Sequence, residues 1–193
     1  ISKISIQTGT SHGGVVLPDG SMAKVDVDFE TLKSLSRYVR EAYRLGGAVQ
    51  HGASTLPEEA FNKFPEAGAL EIHLATNFQN MIFESSQFPG SLREKIYDWT
   101  RKNCQEERKE GQTDEQFIYK ARKKSLGPFK KEMMGLPEPV KESIAGDIEK
   151  TFDSLFKQLN VVKTRSLVDK IIIPVDVHLG VTANAVLDVE GDY

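Results

Sequence analysis

Two histidines in this 193-residue chain, His12 and His51, each follow a short apolar run and are each followed by glycine. An imidazole can ligate a divalent metal or carry a proton near neutral pH, and a glycine beside it lets backbone approach a bound group. The second turn, running from Gly47 to Glu59, adds hydroxyl groups: Thr55 with Glu58 three residues on reads as a capping box, and Pro57 suits a first helical turn. A helix start offers N–H groups and the positive end of a dipole, the setting in which phosphate binds. Metal and phosphate are therefore expected side by side at this turn. The competing reading is a tight strand-to-helix turn in which Ser54 and Thr55 only cap and His51 fills space. Recurrence of the same pattern at His12 favours ligands.

The elements that must position these residues are legible around them. Ile4 and Ile6 alternate as in a strand, and Leu17-Pro18-Asp19-Gly20 is a turn signal. Asp28 then caps a helix whose stripe is Phe29, Leu32, Leu35, Val39 and Tyr43, closed by Gly46-Gly47. Ala48-Val49-Gln50 is the next strand, so the unit is βαβ with parallel strands, and both His-Gly turns belong at one C-terminal sheet edge. After a helix around Pro57 to Phe64, a third strand is expected over Ala69 to Asn77, with Leu70, Ile72 and Leu74 on one face and Glu71 and His73 on the other. His73 then faces either a ligand in a barrel lumen or an internal hydrogen-bond partner, and the residues alone leave both open.

Composition narrows the class. With 39% hydrophobic and 27% charged residues the chain has ordinary globular make-up, and its net charge of -3 excludes a general nucleic-acid or anionic-membrane binder. Cys104 is the only cysteine, no apolar run is long enough to span a bilayer, and nothing resembles a signal peptide, so a cytoplasmic setting is expected. The opening on Ile1 without methionine suggests a cut or processed piece.

Taken together, Thr8-Gly9-Thr10-Ser11-His12-Gly13-Gly14, Val49-Gln50-His51-Gly52-Ala53-Ser54 and His73-Leu74-Ala75-Thr76 resemble the last three strand-end motifs of the class II, metal-dependent fructose-bisphosphate aldolases and their tagatose-bisphosphate relatives. The likeness runs over roughly residues 3–85, with all three motifs in the family's order. It departs where His73 stands in place of the usual Asn and Ala53 where glycine is common. The resemblance implies an α/β fold, the C-terminal part of a TIM (β/α)8 barrel comprising its last three strands, followed by a helical C-terminal appendage. Residues 1–85 would be barrel, 86–170 appendage, and 171–193 a tail of unassigned structure.

Carried over position by position, the family's roles make His12 and His51 metal ligands, for Zn2+ or another divalent metal, with a monovalent cation as a further candidate. Substrate contacts fall on Gly13, Gly52, Ser54, His73, Ala75 and Thr76, with Gly52 to Thr55 and Ala75 to Asn77 holding the two ends of a bisphosphate. The implied reaction is reversible cleavage of a ketose 1,6-bisphosphate, fructose 1,6-bisphosphate first and tagatose bisphosphate as the alternative, to dihydroxyacetone phosphate and glyceraldehyde 3-phosphate. A non-catalytic phosphosugar-binding or assembly module on the same scaffold is the other alternative. The family's proton-transferring residues map to no position here, so the catalytic acid and base are expected in a missing N-terminal half, the chain's implied partner, and the whole is expected to be a homo-oligomer.

The remainder reads as helices with apolar stripes: Leu92, Ile96 and Trp99; Phe117, Ile118 and Ala121; and a long one from Val140 to Leu159 behind Pro137 and Pro139. Lys120 to Lys124 reads as a solvated helix face, although Arg122 is a candidate for the second phosphate because a guanidinium fork suits phosphate oxygens. The tail, including His178, matches no pattern.

Overall fold

Ile4–Ile6 (β1), Phe29–Tyr43 (α1) and Ala48–Gln50 (β2) form the expected βαβ unit in a computed structural model that describes residues 1–10, 15–17, 23 and 25–175. After 3-10 turns at Ala53–Thr55 and Glu58–Ala60 come Lys63–Glu66 (α2), Ala69–Ile72 (β3) and Thr76–Phe83 (α3). The sheet has three strands in the order β1-β2-β3, all parallel. Ile4 stands opposite Ala48, Ile6 opposite Gln50, and Gln50 opposite Ile72. Residues 1–161 form one compact unit, and a second begins at Val162.

The helix α1 starts where a carboxylate can satisfy its first amides. Asp28 Oδ1 accepts from the Thr31 N–H at 2.9 Å and Oδ2 from the Thr31 hydroxyl at 2.6 Å. These two bonds hold the Asp28 carboxyl below the usual carboxylate range. On the buried side are Leu32, Ser36 and Val39, whereas Leu35 and Tyr43 of the expected stripe are exposed. Ser36 is buried because it is wired into the sheet: its hydroxyl donates to the Gly68 carbonyl at 2.6 Å and accepts from the Ala48 N–H at 3.1 Å. The left-handed residue that ends α1 is Arg44, φ 57°, rather than the expected glycine pair. Gly47 serves a different need. At φ 138° it passes under Arg40, where a Cβ would come within 2.6 Å of the guanidinium.

The third strand is shorter than expected, ending at Ile72, because Thr76 already begins α3. An irregularity between Ala48 and Val49 sets Ala48 opposite Ala69 but Val49 opposite Glu71, so Leu70 is the extra residue and lies 43% exposed. Ile72 and Leu74 keep the inner face. They pack with Ile4 and Ile6 onto a core of Leu32, Phe61 and Phe64 under the helix-covered side of the sheet.

Four more helices complete the first unit: Gly90–Asn103 (α4), Asp114–Ala121 (α5), Lys130–Met134 (α6) and Glu138–Gln158 (α7). Each expected apolar stripe lies on one of them. Thr113 and Gln116 close a reciprocal capping box on α5, a signal present in the sequence and overlooked there. α7 joins two cores. Its Leu155 belongs to the cluster beneath the sheet, and its Ile144 to a second one with Phe83, Phe88, Leu92 and Ile96. Phe152 of α7 stacks on Phe78 of α3 with ring centres 4.7 Å apart. Packing is therefore continuous across residue 85. A third cluster holds Cys104, Phe117, Ile118 and Ala121.

The second unit contributes Arg165–Ile171 (α8), carrying an Arg165–Asp169 pair at 2.9 Å one turn apart. The tail from residue 176 on, with His178, lies outside the described residues. Among the described residues no helix is long and apolar enough to cross a membrane.

Candidate functional site

Because the strands are parallel and adjacent, their C-terminal ends share one edge. The ladder runs one residue past the strands: the His51 N–H donates to the Ile6 carbonyl at 3.1 Å, and the His73 N–H to the Gln50 carbonyl at 3.0 Å. This places His51 and His73 side by side, their rings 4.4 Å apart between centres and inclined by 56°. His12 and Gly13, expected beside them, lie outside the described residues.

Gln50 organises this edge, and nothing in the sequence reading singled it out. It has no solvent exposure, so each polar atom of its amide needs a partner. Its Oε1 accepts from the Thr8 hydroxyl at 2.8 Å; its Nε2 donates to Thr10 Oγ1 at 3.1 Å and to the His51 carbonyl at 2.7 Å. The Thr10 hydroxyl also donates to the His51 carbonyl, at 2.7 Å. The chain leaving β1 is thereby tied to the chain leaving β2. A glutamine at the end of an apolar strand was the available signal.

Beyond His51, Gly52 takes the left-handed conformation, φ 73°, and turns the chain into the 3-10 segment that carries Ser54. Ser54 Oγ accepts the Ala75 N–H at 3.0 Å. The two stretches expected to hold opposite ends of a bisphosphate are thus joined by a direct hydrogen bond. The capping box at Thr55 and Glu58 is not formed. Pro57 is extended, ψ 148°, and splits the segment into two short turns. Thr55 Oγ1 is left buried with no hydrogen-bond partner among the described residues. The Glu58 carboxylate accepts instead from the Ser154 hydroxyl of α7. Between these turns, α3 and α7 lies a cleft of about 360 Å³ lined by Ser54, Leu56, Asn77, Lys150 and Ser154 among others.

A charged ladder crosses the sheet beside His73. Glu71 Oε1 accepts from the Lys3 ammonium, and Oε2 lies 3.1 Å from His73 Nε2. Lys3 first, and His73 second, hold the Glu71 carboxyl below its usual range. Glu71 and His73 do share one side of β3, as alternation requires, and each is the other's partner.

Arg122 does not lie on a solvated face. Lys120, Lys123 and Lys124 are exposed, but Arg122 is 5% exposed between the rings of Phe83 and Tyr119, each centred 5.1 Å from its guanidinium carbon. Its nitrogens reach Glu84 Oε1 at 2.6 Å, Asn80 Oδ1 at 2.7 Å and the Tyr97 hydroxyl at 3.2 Å. For a phosphate to bind here it would have to displace Glu84. The 3-10 turn at Arg122–Leu126 breaks the helix and rotates this side chain inward while its lysine neighbours stay out.

Among the described residues no group of three or more His, Cys, Asp or Glu forms a metal-ligand cluster. The donors at the strand edge nevertheless suit a divalent cation in kind: imidazoles on neighbouring strand ends, one of them backed by a carboxylate. At least one more donor is needed.

Residues 2–138 match the family described as fructose-bisphosphate aldolase class-II. Comparison with curated proteins and with solved structures returned no match.

Proposed function

The chain belongs to the class-II fructose-bisphosphate aldolase family, and from that premise we propose that it supplies part of the site of a metal-dependent lyase cleaving a ketose 1,6-bisphosphate, fructose 1,6-bisphosphate in the first instance. The observation that carries this reading is the convergence of His51, His73, Ser54 and Ala75 on one C-terminal sheet edge, where parallel α/β folds bind their ligands.

The proposed division of roles follows from chemistry. His51, together with His12, holds a divalent cation, zinc by donor preference. When bound, such a cation supplies Lewis-acid polarisation of the ketose carbonyl. One phosphate of the substrate takes the locus at Ser54 and Ala75. There Ser54 Oγ already accepts from the Ala75 N–H, and its hydroxyl hydrogen is the donor offered to the phosphate. α3 begins at Thr76 with no side-chain cap, leaving first-turn amides for the same phosphate. Gly52 and Gly13 allow the close backbone approach.

No acid or base for proton transfer is assigned within the three motifs. β1 and β3 each pair on one side only among the described residues, so the proposal includes further strands that complete a barrel and bring the remaining site residues. A coupled assay with zinc and fructose 1,6-bisphosphate tests this. No turnover is expected from the chain alone; turnover is expected once those strands are supplied, and His51→Ala should abolish it. Sustained cleavage by the chain alone that survives His51→Ala would overturn the reading.

A further inference from the structure

His73 invites closer attention because three contacts converge on it. The ladder bond from its N–H to the Gln50 carbonyl holds it in register with His51, and the two rings meet at 4.4 Å. Its Nε2 lies 3.1 Å from Glu71 Oε2, and Glu71 is itself held by Lys3. An ionised carboxylate only accepts hydrogen bonds, so in this contact Nε2 carries the hydrogen, and in the neutral ring Nδ1 then keeps the lone pair. A carboxylate behind one ring nitrogen selects the tautomer and raises the basicity of the other, which is how metal-binding histidines are commonly oriented.

The spacing agrees. With nitrogen–zinc bonds of about 2.1 Å the ion stands about 3.2 Å from each ring centre, so two imidazoles sharing it at a tetrahedral angle are about 5 Å apart. The observed 4.4 Å is about 0.6 Å short of that, and the His73 side chain is half exposed. The competing arrangement is a plain surface triad, Lys3–Glu71–His73, which would contribute little to stability in water and would merely touch His51.

From these contacts we infer that His73 is a further imidazole ligand of the cation held by His51, binding through Nδ1, with Glu71 as the carboxylate that orients it and Lys3 as the group that fixes Glu71. The inference rests on the metal-site reading above and changes it in one respect: His73 serves the cation instead of the sugar bisphosphate. Glu71 and Lys3 become positioning residues, since neither is required to touch the ion.

The test uses the metal-free full chain, titrated with Zn2+ by calorimetry and with Co2+ by visible absorption, whose band positions and intensities report the ligand set. One ion per chain and its loss in His51→Ala are expected once His73 is counted among the ligands. His73→Ala and His73→Asn should both weaken Zn2+ binding by at least the about 10–100-fold typical of losing an outer-shell partner, and should alter the Co2+ spectrum. Glu71→Gln should weaken binding within that same about 10–100-fold range while leaving the spectrum in place, because the ligands are unchanged. If His73→Ala and His73→Asn bind both ions as the unsubstituted chain does, while His51→Ala loses them, the assignment of His73 is overturned and the site reading stands. Failure of the unsubstituted chain to take up either ion overturns the assignment of His73, because the chain's own imidazoles would then not suffice to hold the cation, whereas the site reading, which includes donors from further strands, stands or falls by the coupled assay. Circular-dichroism melts identify any variant that has lost its fold, and the near-isosteric Glu71→Gln then carries the test.

Discussion

The strand edge and the Arg122 pocket both hold charged, hydrogen-bonding side chains, yet they treat them in opposite ways. At Arg122 the guanidinium is 5% exposed, sandwiched between two rings and met by Glu84, Asn80 and Tyr97. At the edge the buried group is the neutral amide of Gln50, and the ionisable side chains Glu71 and His73 remain reachable, His73 half exposed. Burying a charge requires that its partners be supplied beforehand, so a sealed arginine is a structural commitment. A buried amide beneath open imidazoles does the reverse: it fixes backbone while leaving the chemistry outside. The difference separates a residue type suited to phosphate from a position where phosphate can arrive.

The largest expected effect falls on the helical side of this comparison. Phe117 is 1% exposed in the cluster that covers Cys104, whose thiol is pushed up chiefly by burial. Phe117→Ala should cost about 3–5 kcal/mol in denaturant unfolding, as large aromatic truncations do. Cys104 should then react faster with a thiol reagent at pH 8, while Zn2+ uptake at the strand edge persists. Equal loss of both would mean that the two regions are not energetically distinct.

A smaller effect is expected at the edge itself. Gln50→Leu keeps the volume but strands the buried Thr8 hydroxyl that Gln50 now satisfies, and an unsatisfied buried group costs about 1–3 kcal/mol. Because Gln50 also holds the His51 carbonyl, metal affinity should fall together with stability, a pairing that Phe117→Ala lacks. Calorimetric titration beside denaturant melts reads both quantities, and unchanged metal affinity would remove Gln50 from the site.

The smallest effect concerns neither region directly. Asp28 has its carboxyl lowered chiefly by the Thr31 hydroxyl and then by the Thr31 N–H. A carboxylate lowered on folding contributes fully above its unfolded value of about 3.9, and the contribution is lost as pH falls through the lower folded value. Asp28→Ala should therefore lower the melting temperature at pH 7 by less than Gln50→Leu does, and the gap to the unsubstituted protein should close below about pH 3.9. A gap that persists at pH 2 would show that Asp28 acts through something other than its charge.

Local chemistry made much of the fold legible. The Asp28 cap, the βαβ unit with its parallel strands, and the helices at Leu92–Trp99, Phe117–Ala121 and Val140–Leu159 depend on neighbours within a turn or on a hydrophobic period, and both are written in order along the chain. The three motifs likewise pointed to the aldolase family because motif order is a property of sequence. What failed locally did so where a tertiary partner outbid a neighbour: Glu58 bonds to Ser154, 96 residues away, instead of completing a cap with Thr55.

Only the tertiary structure could decide the site's internal arrangement. Thr8 and Gln50 are 42 residues apart, Ser54 and Ala75 21, and Glu84 and Arg122 38. The contact between the two expected phosphate stretches depends on the register between β2 and β3, including an irregularity at Leu70 that alternation cannot reveal. The inward turn of Arg122 depends on aromatic rings contributed by α3 and α5. Residue types set which groups can bind a metal or a phosphate; which of them meet is settled by strand register and helix packing, whose energies come from contacts between segments far apart in the chain.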